Sequence, residues 1–235
     1  QYRIGNFFSL NEGDYIYEKC LSILQAVMNH YWDKNNYARA DQILSIFYKI
    51  RSGQLQKSPP VVALIGRVQD LSFNRARIEQ FFEAFLKNKG DGQIGQRLSM
   101  LGRPSVHLFI DALLKNEDIS ERLRIVELLG NMGHVAVNVL FDRINEPMPW
   151  YGKRNLLKLA AEIAAPEHVE RVVPFLKHED MRVQREAFLC IYVISGDRRR
   201  EAMLKCLDNC SEVMYPQAVK ALLPYGDGEI ARRLG

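Results

Sequence analysis

Histidine and cysteine are the side chains of this sequence best suited to metal binding or nucleophilic catalysis, but their spacing forms no recognisable site. The histidines are scattered along the chain: His30, His107, His134, His168 and His178. The four cysteines include no CxxC pair: Cys20, Cys190, Cys206 and Cys210. No GxSxG, P-loop, GxGxxG or HExxH pattern is present. We therefore predict a chain with no catalytic residues, no metal site and no cofactor.

The compartment is inferred from the cysteines and from the apolar runs. The N-terminus has no basic region followed by an apolar run, so it is not a signal peptide. No stretch of about 18 uncharged apolar residues could cross a bilayer. Without a secretion signal, the cysteines are expected to be reduced thiols. The sequence therefore predicts a cytoplasmic protein with no membrane partner.

The charge balance argues against a dedicated nucleic-acid binder. The formal net charge is +4, from 32 basic and 28 acidic residues, whereas such binders concentrate much more basic charge on one face. The strongest basic run is Arg198-Arg199-Arg200. It is predicted to begin a helix, where a cation is unfavourable to the helix dipole. This misfit makes Arg198 a candidate for contact with a partner.

Positions 31 residues apart reveal an internal repeat. Small residues recur at this spacing: Gly102, Gly133, Ala164, Ser195 and Gly226. Four positions before each lies an apolar residue: Leu98, Leu129, Ala160, Ile191 and Leu222. Another apolar position lies four residues earlier still: Ile94, Ile125, Leu156, Ala187 and Ala218. This spacing predicts one apolar face of a helix, ended at the small residue by a tight turn.

A second apolar stripe follows each turn. Its main column is Phe109, Leu140, Val172, Met203 and Leu234. Val137 and Val169 are equivalent positions at the start of this stripe, and between them the 31-residue register slips by one residue. The slip falls in the turn at 165–168, where an insertion costs least. Each unit is thus predicted to be two helices joined by a turn, and such hairpins bury their apolar stripes only when stacked.

This region, 90–235, resembles the HEAT-like repeats, in particular the short bacterial type also found in phycobilin lyases. The segments RIVELLGNMG, from Arg124 to Gly133, and REAFLCIYVI, from Arg185 to Ile194, look like the first helix of that family. VERVVPFL, from Val169 to Leu176, looks like the second helix. The resemblance implies an all-α, right-handed α-solenoid (superhelix). It also implies a binding scaffold in most cases, since only a few members are enzymes.

The enzymatic members leave an alternative open. His178-Glu179 resembles the His-Glu motifs of the HEAT-like iron enzyme deoxyhypusine hydroxylase, which needs several such pairs. Only one pair occurs here, and Glu167-His168 has the reverse order. HEAT-like DNA glycosylases need a basic face with aromatic residues and a carboxylate. The nearest set here is Trp150, Tyr151, Lys153, Arg154, Arg182 and Arg185, among which carboxylates are interleaved. An enzyme or nucleic-acid-acting protein of the lyase or glycosylase type is therefore the alternative.

The first part of the chain, 1–89, lacks the 31-residue columns but still has helical periodicity. Helices are predicted at 14–32, 36–50, 61–71 and 78–86, either as a small helical domain or as divergent pairs that cap the solenoid. At the other end, Ala231 and Leu234 begin a second-helix stripe that stops at Gly235. We expect that the natural protein, a longer bacterial one, continues beyond this point.

In solenoids of this type the second helices usually line the concave side. Counting 100° per residue from the buried stripe predicts a ridge of outward-facing side chains on these helices. With Arg198 in the flanking turn, the predicted partner-binding residues are Leu108, Asp111, Val139, Asp142, Arg171, His178, Arg198 and Lys205. The ridge is expected to change from acidic to basic along its length, with Leu108 and Val139 as exposed apolar positions. Such a surface favours a protein or peptide partner over nucleic acid, so we predict a non-enzymatic interaction scaffold.

Overall fold

The computed structural model describes residues 14–72, 74–88 and 91–226, together with Gly228, Ile230 and Arg232. Within these residues the chain is all-helical and has no strand. It divides into two compact units, of which the first ends at Leu108 and the second begins at Phe109. This division falls inside a helix, and the predicted domain boundary at 89/90 stays a prediction.

Among its described residues, the first unit contains five complete helices and the beginning of a sixth. They are α1 (Asp14–Asp33), α2 (Tyr37–Arg51), α3 (Pro59–Ser72), α4 (Arg75–Lys87), α5 (Gly92–Leu101) and α6 (Arg103–Lys115). Three of these helices are preceded by an N-cap residue whose side chain accepts a hydrogen bond from a backbone N–H of the first turn. Such caps satisfy N–H groups that have no partner within the helix. These caps are Asn36, Asn74 and Asp91. The four helices predicted in this part of the chain are confirmed as α1 to α4.

Between Phe109 and Gly226, where every residue is described, the second unit contains the end of α6 and seven further α-helices. They are α7 (Ile119–Asn131), α8 (His134–Asn145), α9 (Trp150–Ile163), α10 (Val169–Val172), α11 (Met181–Ile194), α12 (Arg199–Asn209) and α13 (Tyr215–Leu222). Helix α9 contacts α7 on one side and α11 on the other, and α12 contacts both α11 and α13. We call α5, α7, α9, α11 and α13 the first helices, and α6, α8, α10 and α12 the second helices.

The 31-residue register is confirmed at the helix ends. Gly102 and Gly133 lie between consecutive helices with positive φ of 82° and 55°, which glycine adopts without steric cost. Ala164 and Ser195 follow the last residues of α9 and α11, and Gly226 ends the turn after α13. The column that begins with Leu98 is 0% exposed at all five of its positions. The repeat therefore sets which face of each first helix is buried.

The second helix of the third hairpin departs from the regular helix that was predicted. Only Val169–Val172 is α-helical, and 3₁₀ turns lie on either side, at Pro166–His168 and Val173–Lys177. Pro174 explains the change, because proline has no N–H to continue the α-helical hydrogen bonding. Val173, the apolar residue next to Val172 that the repeat also predicts to be buried, is only half-buried. Ala231 and Leu234, predicted to begin another second helix, lie outside the described residues.

Candidate binding face on the second helices

Among the described residues, one ion pair links each second helix to the next, which makes three pairs along α6, α8, α10 and α12. We call them the charge ladder: Asp111 with Arg143, Asp142 with Arg171, and Glu170 with Lys205. Each pair joins a carboxylate on one helix to a cation on the following one, from α6 through α8 and α10 to α12. Four of the predicted partner-binding residues, Asp111, Asp142, Arg171 and Lys205, are members of this ladder.

The two arginines of the ladder are held by more than one partner. Arg143 donates to Asp111 at 2.7 Å and to Glu146 at 3.1 Å. Arg171 donates to Asn138 at 2.7 Å, and its Nη2 lies 3.7 Å from the Asp142 carboxylate. The guanidinium of Arg171 also lies 4.4 Å from the centre of the Phe141 ring. These contacts fix planar guanidinium groups in defined orientations.

The ladder corrects the expected change from acidic to basic along the ridge. Asp111 and Asp142 are each paired with an arginine of the next helix. Acidic and basic side chains therefore lie side by side along the described ridge, and it does not have one acidic half and one basic half. Exposed ion pairs of this type contribute little to stability. They nevertheless determine which charges stay available to a partner, and a sequence count of charges does not show this.

Val139 was expected to be exposed, and this prediction was wrong: its side chain is 0% exposed. In α8 the buried positions extend well beyond the i, i+3, i+4, i+7 stripe. The reason is that α8 has a neighbour on each flank, α6 through the Asp111–Arg143 pair and α10 through the Asp142–Arg171 pair. Leu108 is half-buried. The ridge therefore offers less apolar surface than predicted.

His178 has a structural role in the turn before α11. Its Nδ1 accepts a hydrogen bond from the backbone N–H of Asp180 at 3.0 Å, and its carbonyl accepts one from Gln184. The ring is half-buried. These contacts hold the turn in place ahead of α11, and they already occupy the Nδ1 atom of His178 within the chain.

A shallow groove of about 150 Å³ opens between α10 and α12. Its lining combines apolar, acidic and basic side chains: Pro166, Val169, Glu170, Ser195, Arg198, Glu201, Ala202 and Lys205. Lys205 is engaged by Glu170. Arg198 and Glu201 are exposed, and within the described part of the chain neither side chain makes a hydrogen bond or an ion pair. The groove thus combines a small apolar floor with one free cation and one free carboxylate.

The basic and aromatic set considered for nucleic-acid binding is partly brought together on α9 and α11. Arg182 lies 3.3 Å from the centre of the Trp150 ring, and Arg154 lies 5.7 Å from it. Arg182 is also bound by Asp180 through two hydrogen bonds of 3.0 and 2.6 Å. Trp150 is therefore covered by a cation that is already neutralised, which leaves that face of the ring unable to stack on a base. Lys153, from the same set, donates to backbone carbonyls at the end of α8.

One cluster was missed by the sequence reasoning. The structure brings His134, Glu167 and His168 together, with one potential ligand atom of each within 4.8 Å of the others. The sequence carried a signal for it, because these residues lie in the turns that join first and second helices in two consecutive repeats. Scanning equivalent turns of neighbouring units, rather than linear motifs, would have found it.

Comparison with protein-family models and with curated protein sequences finds no match to this chain. Among the described residues, no helix has the length and apolar character needed to cross a membrane. The resemblance to HEAT-like repeats accordingly stays a prediction that depends on the repeat columns.

Proposed function

We propose that this chain is a non-enzymatic HEAT-like α-solenoid that binds a protein or peptide along its second helices. The groove between α10 and α12 carries this proposal, because it places free Arg198 and Glu201 side chains beside an apolar floor. A solenoid is supported by the recurrence of the buried columns and by the contacts of α9 with α7 and α11. The charge ladder supports it too, since it joins the second helices in chain order.

The size of the groove favours a macromolecular partner. Its volume of about 150 Å³ is smaller than the roughly 300–1,000 Å³ typical of small-ligand pockets. It has room for one or two anchoring side chains but not for an enclosed substrate. Arg198 would pair with a carboxylate of the partner and Glu201 with a cation. The expected occupant is therefore an extended protein segment of mixed charge that has a small apolar residue between its charges.

Peptide-display selection against the immobilised chain tests the proposal. Arg198→Glu reverses the free cation without touching the charge ladder, so it removes recognition and leaves the helices in place. Selected peptides should bind this variant at least about tenfold more weakly than the original chain, the equivalent of roughly 1.4 kcal/mol. Reversal of Arg171 or Lys205 is less informative, because it would also break a ladder pair.

Arg185→Glu is the matched control. Arg185 is exposed on the first helix α11 and, within the described residues, its side chain makes no hydrogen bond or ion pair. Its reversal changes the net charge by the same amount at a position away from the groove, so selected peptides should bind it as well as they bind the original chain. Equal loss of binding in the Arg198 and Arg185 variants would show that general charge, and not the groove, controls association.

A further inference from the structure

The turns before α8 and α10 bring three potential metal ligands into one cluster. His134 is the first residue of α8, and Glu167 and His168 lie in the 3₁₀ turn that precedes α10. One ligand atom of each lies within 4.8 Å of those of the other two. His134 and Glu167 are exposed, whereas His168 is 8% exposed. The cluster therefore combines one fixed imidazole with two side chains that are free to adjust.

The position of the His168 ring is fixed from two sides. Its plane stacks on Phe141, with 6.1 Å between ring centres and 16° between planes. Its Nδ1 lies 3.2 Å from both the backbone nitrogen and the carbonyl oxygen of Ala165. The two contacts need opposite tautomers: the Ala165 N–H donates to an unprotonated Nδ1, whereas a protonated Nδ1 donates to the Ala165 carbonyl. The second tautomer leaves the lone pair of Nε2 free to bind a metal ion. A backbone carbonyl that binds the other ring nitrogen is the usual support of a metal-binding histidine.

We infer that His134, Glu167 and His168 form a site for a divalent first-row transition-metal ion of the zinc type. Two imidazoles and one carboxylate are a ligand set that Zn²⁺ accepts, and three protein ligands leave a fourth position open. Bonds of about 2.0–2.1 Å in tetrahedral geometry place ligand atoms about 3.3 Å apart. The exposed His134 and Glu167 side chains can close the remaining distance by rotation about their χ angles.

The charges around the cluster are compatible with a bound cation. Glu167 supplies negative charge beside the start of α8, where a cation alone would be disfavoured by the helix dipole. Arg171 packs on Phe141 at 4.4 Å, but its charge is offset by Asp142. The site is therefore not dominated by positive charge before the metal binds.

A metal at this site would join two consecutive hairpins at their turns. Because the ligands come from α8 and from the turn before α10, the ion would bind the folded chain and not the unfolded one. The open fourth position would accept water or a side chain of another molecule. The metal site is separate from the groove between α10 and α12 proposed for partner binding, and neither requires the other.

Calorimetric titration of Zn²⁺ into the metal-free chain tests the inference. Cys20 and Cys210 are half-exposed thiols that could also bind zinc, so the titration uses a background in which both are replaced by serine. One Zn²⁺ per chain should bind with a dissociation constant in the micromolar range or tighter. His134→Gln and Glu167→Gln should each weaken binding at least about tenfold. Both residues are exposed, so neither change should affect folding.

His30→Gln is the matched control, since His30 is an exposed histidine on α1 in the first unit and is not a member of the cluster. Its replacement should leave the affinity and the stoichiometry unchanged. Co²⁺ gives a second readout. In the background with both serine replacements, the intact cluster should show the visible absorption of a four-coordinate Co²⁺ ion, and His134→Gln in that background should lose it. The metal site is rejected if Zn²⁺ binds no more tightly than millimolar, or if His134→Gln and His30→Gln bind it equally well.

Discussion

The guanidinium of Arg97 on α5 meets the carboxylate of Asp41 on α2 in a two-point ion pair. Its Nε and Nη2 lie 2.7 and 2.8 Å from the two carboxylate oxygens. The Arg97 side chain is only 5% exposed, and the rings of Tyr37 and Phe81 lie 4.6 and 5.0 Å from its guanidinium carbon. A buried charge in the first unit is thus satisfied by one carboxylate and two aromatic faces.

Removal of that carboxylate should destabilise the first unit strongly. Asp41→Ala leaves the Arg97 charge buried without its counterion, so we expect a loss of about 3 kcal/mol in the free energy of unfolding. Glu79→Ala is the control, because Glu79 pairs with Arg75 where the side chains are 44% and 77% exposed, and such pairs contribute about 1 kcal/mol or less. Urea denaturation compares the two. Equal losses would mean that the Arg97 pair behaves as a surface pair.

The repeat columns predict which leucines carry the stability of the hairpins. Leu129 on a first helix and Leu176 after α10 are both 0% exposed, whereas the Asp142 side chain is 52% exposed. Leu129→Ala and Leu176→Ala should each lower the free energy of unfolding by roughly 2–5 kcal/mol, through lost burial and the cavity left behind. Asp142→Ala should cost less than about 1 kcal/mol. The assignment of the two leucines to the buried face would be contradicted if denaturant melts showed an equal loss of unfolding free energy for Asp142→Ala.

The sequence predicted the buried faces of the helices because they follow from periodicity within one helix. Leu129 and Leu176 are of this kind. Val139 was wrongly predicted to be exposed. Its burial depends on the helices that flank α8 in space, and the periodicity of a single helix carries no information about those neighbours. The interruption after Val172 follows from Pro174, because the missing proline N–H ends the α-helical hydrogen bonding while the apolar periodicity continues past it.

The pairings of the candidate site could not be predicted in the same way. Arg143 pairs with Asp111, which lies 32 residues earlier in the chain, and Lys205 pairs with Glu170, which lies 35 residues earlier. Each separation differs from the 31-residue period, because each pair joins different positions on neighbouring helices. The cluster of His134 with His168 likewise depends on how two turns lie against each other. Such contacts require coordinates, even when the period of the repeat is known.

Asp180 should titrate at unusually low pH. The side-chain hydrogen bonds from Arg182 lower the pKa of this carboxyl group from 3.8 to about 2. Because the folded-state pKa is depressed, the carboxylate stabilises the fold above about pH 3.8, and this contribution is lost as the pH falls towards 2. Carbon-detected NMR should find the midpoint near 2 in the original chain and a higher one in Arg182→Ala. An unchanged midpoint in that variant would remove Arg182 as the cause, and Arg185→Ala is the control.

The four thiols should differ in reactivity. Burial raises the pKa of both Cys190 and Cys206 to about 12, so at pH 8 only about one in 10⁴ of each is the reactive thiolate. Cys20 and Cys210 are half-exposed and should react with an aromatic disulfide reagent first. We expect two accessible thiols in the native chain and four after unfolding in guanidinium chloride. Rapid reaction of Cys190, identified by mass spectrometry, would contradict its burial in α11.

Binding to duplex DNA should be weak, because the described cations of the ridge are largely occupied. Affinity for DNA comes mainly from free lysine and arginine side chains that replace counterions on phosphates. Arg143, Arg171 and Lys205 are instead held by carboxylates of the charge ladder. Fluorescence polarisation with a 20-base-pair duplex should give a dissociation constant weaker than about 10 µM at 200 mM salt.

A variant that frees ladder cations makes this prediction sharper. Asp142→Asn combined with Glu170→Gln removes the negative partners of Arg171 and Lys205 and keeps the shape of both side chains. It should bind the duplex more tightly than the original chain at 50 mM salt, and the gain should shrink at 200 mM because counterion release becomes less favourable. If the original chain already binds duplex DNA at sub-micromolar, salt-sensitive affinity, the ladder does not neutralise the ridge. The nucleic-acid-acting alternative would then be preferred to a protein-binding scaffold.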